Sequence, residues 1–105
     1  MLMAREQFQS LTEQMYYTLL ALTEESCGVD IARRAGEISQ NRIQIGPGTL
    51  YALLEKFKVS GMIAETAMEG RKRYYKITPY GRKVLKEEYE RLKKLVEEGM
   101  PYVET

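Results

Sequence analysis

The spacing of apolar residues changes period twice along the chain. In "LTEQMYYTLLAL", residues 11 to 22, Met15, Tyr16, Tyr17, Leu19, Leu20 and Leu22 surround a helix with apolar or aromatic groups on nearly every side. Such a helix is covered on more than one face. Its start is expected near Ser10 to Thr12, where Ser10 and Glu13 have capping-box spacing and Thr12 competes as N-cap, and its end near Glu24. In a small chain one face packs on the core, and a second copy of the chain is the simplest cover for the other.

A second helix is expected from Val29 to about Ile38. Asp30 lies in its first turn, where a carboxylate suits the positive end of the helix dipole, and Ile31, Ala35 and Ile38 form a core stripe at i, i+4 and i+7. Arg33 and Arg34 lie off that stripe. "SQNRIQIGPG" reads as a loop from its Ser, Asn and Gly content. A third helix opens after Pro47, a residue suited to a first helical turn because its missing N–H is not needed there. Leu50, Leu53, Leu54 and Phe57 face the core at i, i+3, i+4 and i+7. Gly48, Ala52 and Glu55 then point outward, flanked by Thr49 and Lys56 on one side and Tyr51 and Lys58 on the other. Gly61 is the expected C-terminal glycine.

The period then drops to two. "MIAETAMEGRKRYYKIT" reads as two short strands with a turn at Glu69 and Gly70. In the second strand Arg73, Tyr75 and Ile77 share one side and Lys72, Tyr74 and Lys76 the other, with Tyr75 and Ile77 in the core. Arg71, Lys72 and Arg73 form a basic finger at the tip, with Tyr74 beside it. "TPYG" opens a last helix with Thr78 as N-cap and Pro79 at the first helical position. Leu85, Tyr89, Leu92 and Val96 repeat at 4, 3, 4 along it, widened by Val84 and Leu95. On a helix of about 20 residues, roughly 30 Å long, this heptad-like seam exceeds what three short helices and a hairpin can cover, and it is read as a dimer contact.

Composition bounds the rest. A chain of 105 residues is one domain with one core, and 44% apolar with 30% charged residues and three prolines is a folded profile. No stretch reaches the roughly 18 apolar residues of a membrane span, and the first ten residues hold no signal-peptide core. The expected location is the cytoplasm. Cys27 stands alone, so no internal disulfide forms; it is read as a small free thiol at a helix entrance, with pairing across a dimer or redox sensing as alternatives.

The net charge of +1 hides an uneven distribution. Arg71 to Lys83 holds six basic residues and no acid, whereas Lys86 to Glu98 holds four basic residues against five acids. Local concentration is what matters for phosphate contacts. Catalysis is disfavoured by inventory. There is no histidine, "GPGTLY" lacks the Gly-Lys-Ser/Thr of a phosphate loop, and the carboxylates are placed at solvated helix positions such as Glu87, Glu88 and Glu97. No cofactor and no metal are expected.

Three helices, a two-stranded hairpin and a flanking helix make a winged helix-turn-helix: mainly α with a small β-hairpin, and a long C-terminal helix for dimerisation. The divisions are an arm at 1–9, the winged-helix domain at 10–78, the dimerisation helix at 79–99 and a tail at 100–105. In such a fold the third helix lies in the major groove and the hairpin tip meets phosphates or the minor groove. The candidate DNA contacts are Gly48, Thr49, Tyr51, Ala52, Lys56, Arg71, Lys72, Arg73 and Tyr74. A winged helix that docks a protein and binds no DNA is the competing reading. The basic finger argues against it.

The segments "LTEQMYYTLLAL", "GPGTLYALLEKF", "SGMI" and "GRKRYYKITPYGRKVL", in this order and spacing, resemble the short form of the PadR family of transcriptional regulators. The resemblance covers residues 11 to about 98. It implies a homodimeric repressor bound to double-stranded operator DNA, with a dimer interface drawn from Met15, Tyr16, Leu19, Leu85, Tyr89, Leu92, Leu95 and Val96. It also implies release by a small aromatic or amphipathic effector, for which Met15, Tyr16, Tyr17 and Tyr89 are the candidate contacts. There are two departures from the family: Cys27, Gly28 and Val29 stand where members often carry His-Gly-Tyr, and the tryptophan on which some members stack a ligand is absent.

Overall fold

The computed structural model describes residues 10–105; the expected arm at 1–9 lies outside them. Four helices and three strands follow in the order α1 (Glu13–Ala21), β1 (Ser26–Cys27), α2 (Gly28–Ile38), α3 (Pro47–Val59), β2 (Ile63–Glu69), β3 (Lys72–Ile77) and α4 (Pro79–Val103). The winged-helix architecture is as expected. Several local decisions differ.

Thr12, not Ser10, caps α1: its hydroxyl accepts from the Met15 amide at 3.1 Å, and the Met15 sulfur accepts from the Thr12 amide at 3.4 Å. The helix stops at Ala21, short of Glu24, because Leu22 turns out of it and its carbonyl accepts the Ile77 amide of β3 at 2.9 Å. In α2, Ile31 and Ala35 are fully buried, but Ile38 is 45% exposed. It is the last helical residue, and the core ends one turn before it. Gln40 and Asn41, at φ 56° and 64°, reverse the chain there, with the Asn41 amide on the Gly36 carbonyl and the Gln40 amide on the Glu37 carbonyl.

Pro47 begins α3 after Gly46 as N-cap. Leu50, Leu54 and Phe57 are buried, and Leu53 packs against the core from its edge. At the other end Gly61, at φ 82°, closes a Schellman turn in which the Met62 amide reaches the Phe57 carbonyl and the Gly61 amide the Lys58 carbonyl.

The hairpin turns at Gly70 and Arg71, one residue later than expected, since Glu69 pairs with Lys72 and Gly70 takes the positive φ of 60°. Its register slips between Glu65 and Ala67. A third strand also joins it. β1, only two residues long, pairs antiparallel with β3, Ser26 opposite Tyr75 and Cys27 opposite Tyr74, giving the order β1-β3-β2.

The start of α4 is stitched to the α3–β2 connection. Thr78 caps the helix by accepting from the Gly81 amide at 3.0 Å, donates to the Gly61 carbonyl at 2.6 Å, and its amide reaches the Met62 carbonyl at 3.0 Å. Gly81, Val84 and Glu88, at i, i+3 and i+7, are the buried residues of α4. Val84 therefore belongs to the core and not to the edge of the seam. Glu88 is 1% exposed, contrary to the solvated position expected. Its carboxylate lies on the core-facing stripe, where it accepts both the Nε and Nη2 donors of Arg91, at 3.0 and 2.7 Å, and the Leu11 amide at 3.2 Å. A buried charge is tolerated where such donors replace its water. Here they tie α4 to the entrance of α1. Beyond Leu92 the helix leaves the domain and continues to Val103, about 38 Å from its start, exposing Leu95, Val96, Met100 and Val103.

Candidate nucleic-acid interface

The front of α3 is set by what lies behind it. With Leu50, Leu54 and Phe57 in the core, Gly48, Thr49, Tyr51, Ala52 and Lys56 all stand exposed. The helix start has no side-chain cap, so the positive end of its dipole faces outward. A Cβ built on Gly46 or Gly48 meets no atom within 4 Å, and neither residue has a positive φ. The chain's own packing therefore requires neither glycine.

Tyr51 is 56% exposed and lies over Gly28: its hydroxyl is 2.7 Å from where a Cβ on Gly28 would be, so only glycine leaves room for it there. Gly28 is the first residue of α2, and its neighbour Cys27 is the partner of Tyr74 in the sheet. The Cys27 thiol donates to Asp30 at 3.6 Å. The Asp30 carboxyl is held below its ordinary range, first by the hydrogen bond from Arg33, with smaller help from Cys27 and from the charge of Lys72. Cys27 is thus a buried thiol at a helix entrance. Tyr51, the α2 entrance and Tyr74 form one continuous run, Tyr51 against Gly28 and Cys27 paired with Tyr74, so the front of α3 and the middle of β3 converge.

The wing is less basic than its own strand suggests. Four basic residues on β3 and its turn, Arg71, Lys72, Arg73 and Lys76, face two acids returned by β2, Glu65 and Glu69, for a net charge of +2. Arg73 is paired with Glu65 at 3.5 Å, and the Tyr74 hydroxyl donates to Glu69 at 3.4 Å. The Glu69 carboxylate also raises the Tyr74 phenol above its ordinary value, keeping it a neutral donor. Arg71 and Lys72 remain as the exposed charges at the tip.

The residues assigned to a dimer contact divide. Leu19 is fully buried and Met15 nearly so, both inside the chain's own core, which leaves them no surface for a second subunit. Tyr16, Leu85 and Leu92 are half-buried, while Tyr89, Leu95 and Val96 are 50%, 52% and 72% exposed. Two apolar grooves of about 390 and 370 Å³ lie where Tyr16 and Tyr89 meet, one toward Leu20 and Leu85, the other toward Leu92 and Val96. Burial, then Tyr17, Tyr89 and Glu88, raises the Tyr16 phenol above its ordinary value. Tyr17 is engaged already: Arg42 donates to its hydroxyl at 3.1 Å and lies 5.7 Å from its ring centre.

Residues 18–87 match the sequence model of the "Transcriptional regulator PadR-like family". The chain belongs to the PadR-like family. Among solved structures it is similar to a PadR family transcriptional regulator from Eggerthella lenta, with a TM-score of 0.72 and 24% identity over 88% of this chain and 82% of that one. It is also similar to a transcriptional regulator from Clostridium thermocellum, with a TM-score of 0.69 and 24% identity over 85% and 90% of the two chains. At this identity the likeness is one of fold. Transcriptional regulator Rv3488 of Mycobacterium tuberculosis is 34% identical over 65 residues, which span 59% of this chain and 61% of the relative. The family match ends at residue 87, so the exposed half of α4 lies outside it. No helix among the described residues is long and apolar enough to cross a membrane.

Proposed function

We propose that this PadR-like chain is a sequence-specific DNA-binding regulator, a homodimeric repressor whose α3 enters the major groove of operator DNA while the wing tip meets the flanking phosphates. The observation that carries this reading is the convergence of Tyr51, the α2 entrance and Tyr74 of the wing strand into one surface. Gly48 supports it, because a glycine inside a helix that the chain's own packing does not require leaves room for something outside the fold. Thr49 sits in the first turn, where a hydroxyl and exposed amides suit a phosphate. On this reading the second subunit packs along the stripe of Tyr16, Leu85, Tyr89, Leu92 and Val96, and the operator carries two half-sites about one helical turn apart, as dimeric helix-turn-helix proteins require. A small aromatic or amphipathic effector would enter the grooves beside Tyr16 and Tyr89.

A gel shift on the DNA upstream of the protein's own gene tests the reading, which predicts a specific, salt-sensitive complex. A protein-docking module gives none. In this assay Lys72→Ala should lower the slope of log affinity against log salt by about 0.9, the share of one phosphate contact. Arg73→Ala should lower it less, because Glu65 already holds that guanidinium. An unchanged slope in the Arg71→Ala, Lys72→Ala double variant would remove the wing from the interface.

Gly48→Ala separates packing from contact. Alanine is the better helix former, so the folded chain should gain about 0.5 kcal/mol in urea denaturation. Operator affinity should nevertheless fall about ten-fold as the methyl group intrudes between helix and DNA. Undiminished affinity would show that the helix entrance does not approach the duplex closely.

A further inference from the structure

Val29 is 77% exposed at the first turn of α2, two residues before buried Ile31 and about 160° round the helix from it. It does not wait for the chain's own core. With Ala32, Ile45, Pro47 and Tyr51 it lines an open apolar cleft of about 230 Å³ between α2 and α3, beside the reading face. That face is poor in the groups that read bases by paired hydrogen bonds. The helix Pro47–Val59 contains no Arg, Asn or Gln, so it holds none of the forked side chains that recognise guanine or adenine in the major groove. Its exposed front offers Gly48, Thr49, Tyr51, Ala52 and Lys56, and the Tyr51 ring lies against Gly28 on the side of Val29. Beside the single hydrogen-bonding groups of Thr49, Tyr51 and Lys56, the face offers apolar contact from Val29, Tyr51 and Ala52, and the one apolar group that a base presents in the major groove is the 5-methyl of thymine.

The geometry points to Val29, Tyr51 and Ala52 as a thymine-methyl reader, with Val29 the specificity residue supplied from outside the recognition helix. This inference rests on the proposed DNA-binding reading and narrows it: operator half-sites hold thymine where the cleft meets the groove, and the methyl group carries the preference. Each methyl contact removed should cost about four-fold in affinity, the transfer value of one buried carbon.

Uracil differs from thymine only by that methyl. The full chain would select duplexes from a random library amplified with dTTP, and again from the same library amplified with dUTP. The expected result is a motif with fixed thymines in the first pool, one or two of which per half-site lose their preference in the second. Val29→Ala, at a site too exposed to affect folding, should lose the preference at one of those positions even in the thymine pool. Recovery of the same motif with the same strength from both pools would overturn the methyl reading while leaving DNA binding intact. Enrichment of no motif from either pool would instead remove the DNA-binding reading, and this inference with it.

Discussion

Gly81→Ala should destabilise the chain by about 3 kcal/mol, seen as a lower urea midpoint at fixed protein concentration. Ordinarily alanine inside a helix is better than glycine by up to about 1 kcal/mol, so the expected sign is reversed. The reason is contact. A Cβ at Gly81 would lie 2.0 Å from the Met62 carbonyl oxygen, 2.9 Å from its carbon and 2.8 Å from Ile77 Cγ1. A side-chain tip could rotate away, but a backbone carbonyl cannot. This one also accepts the Thr78 amide at 3.0 Å, so moving it loosens the cap of the same helix. Gly48, also helical but facing open space, is the control on which alanine should stabilise. A wild-type midpoint for Gly81→Ala would mean that α4 does not sit on the α3–β2 connection.

Val96→Asp should convert the proposed dimer into a folded monomer and lower operator affinity by about 100-fold or more. Val96 is 72% exposed and lies past the point where α4 leaves the domain, so helix content and the core should be unchanged. A carboxylate at this position would have to shed its water as the second subunit docked on the stripe. Once the subunits separate, the two half-sites lose the linkage that makes the second contact intramolecular. Sedimentation equilibrium reads the first effect and a gel shift the second. A dimer that survives the change would move the interface off this stripe. Dependence of the wild-type melting temperature on protein concentration is a further consequence of the same assembly.

Features written in a few adjacent residues are legible in the sequence alone. Pro47 at a helix start, Thr78 and Pro79 at another, Gly61 at a helix end and Gly70 in the hairpin each act through backbone groups within about five residues. The stripes of α3 and β3 are equally plain, because period alone separates buried Leu50, Leu54, Phe57, Tyr75 and Ile77 from their exposed neighbours. Between Thr12 and Ser10 the local pattern does not choose, since both satisfy it. Met15, which caps through its sulfur, is not the residue type that the capping box leads one to seek.

The remaining features depend on partners remote in the chain. Ser26 and Cys27 form a strand only because β3 lies alongside them, and two residues carry no period of their own. Glu65 and Arg73 meet across the hairpin, so a count of charges along one strand overstates the wing. Glu88 sits in the same run of charges as Glu87 and Glu90 but faces Leu11 across the fold. Leu19 and Val96 both read as interface candidates, yet one is wholly inside the core and the other largely in solvent.

The sequence by itself therefore determined the order of the four helices and the hairpin, the caps and turns marked by Pro47, Gly61, Gly70, Thr78 and Pro79, and the winged-helix class with its family, because these follow from hydrogen bonding and apolar spacing over one or two turns. Only the tertiary structure decided which of two apolar faces is core, which carboxylate is buried, and that Tyr51, Gly28, Cys27 and Tyr74 stand together. Those outcomes depend on contacts between segments brought together by the fold, and spacing along a single helix or strand does not record what will pack against it.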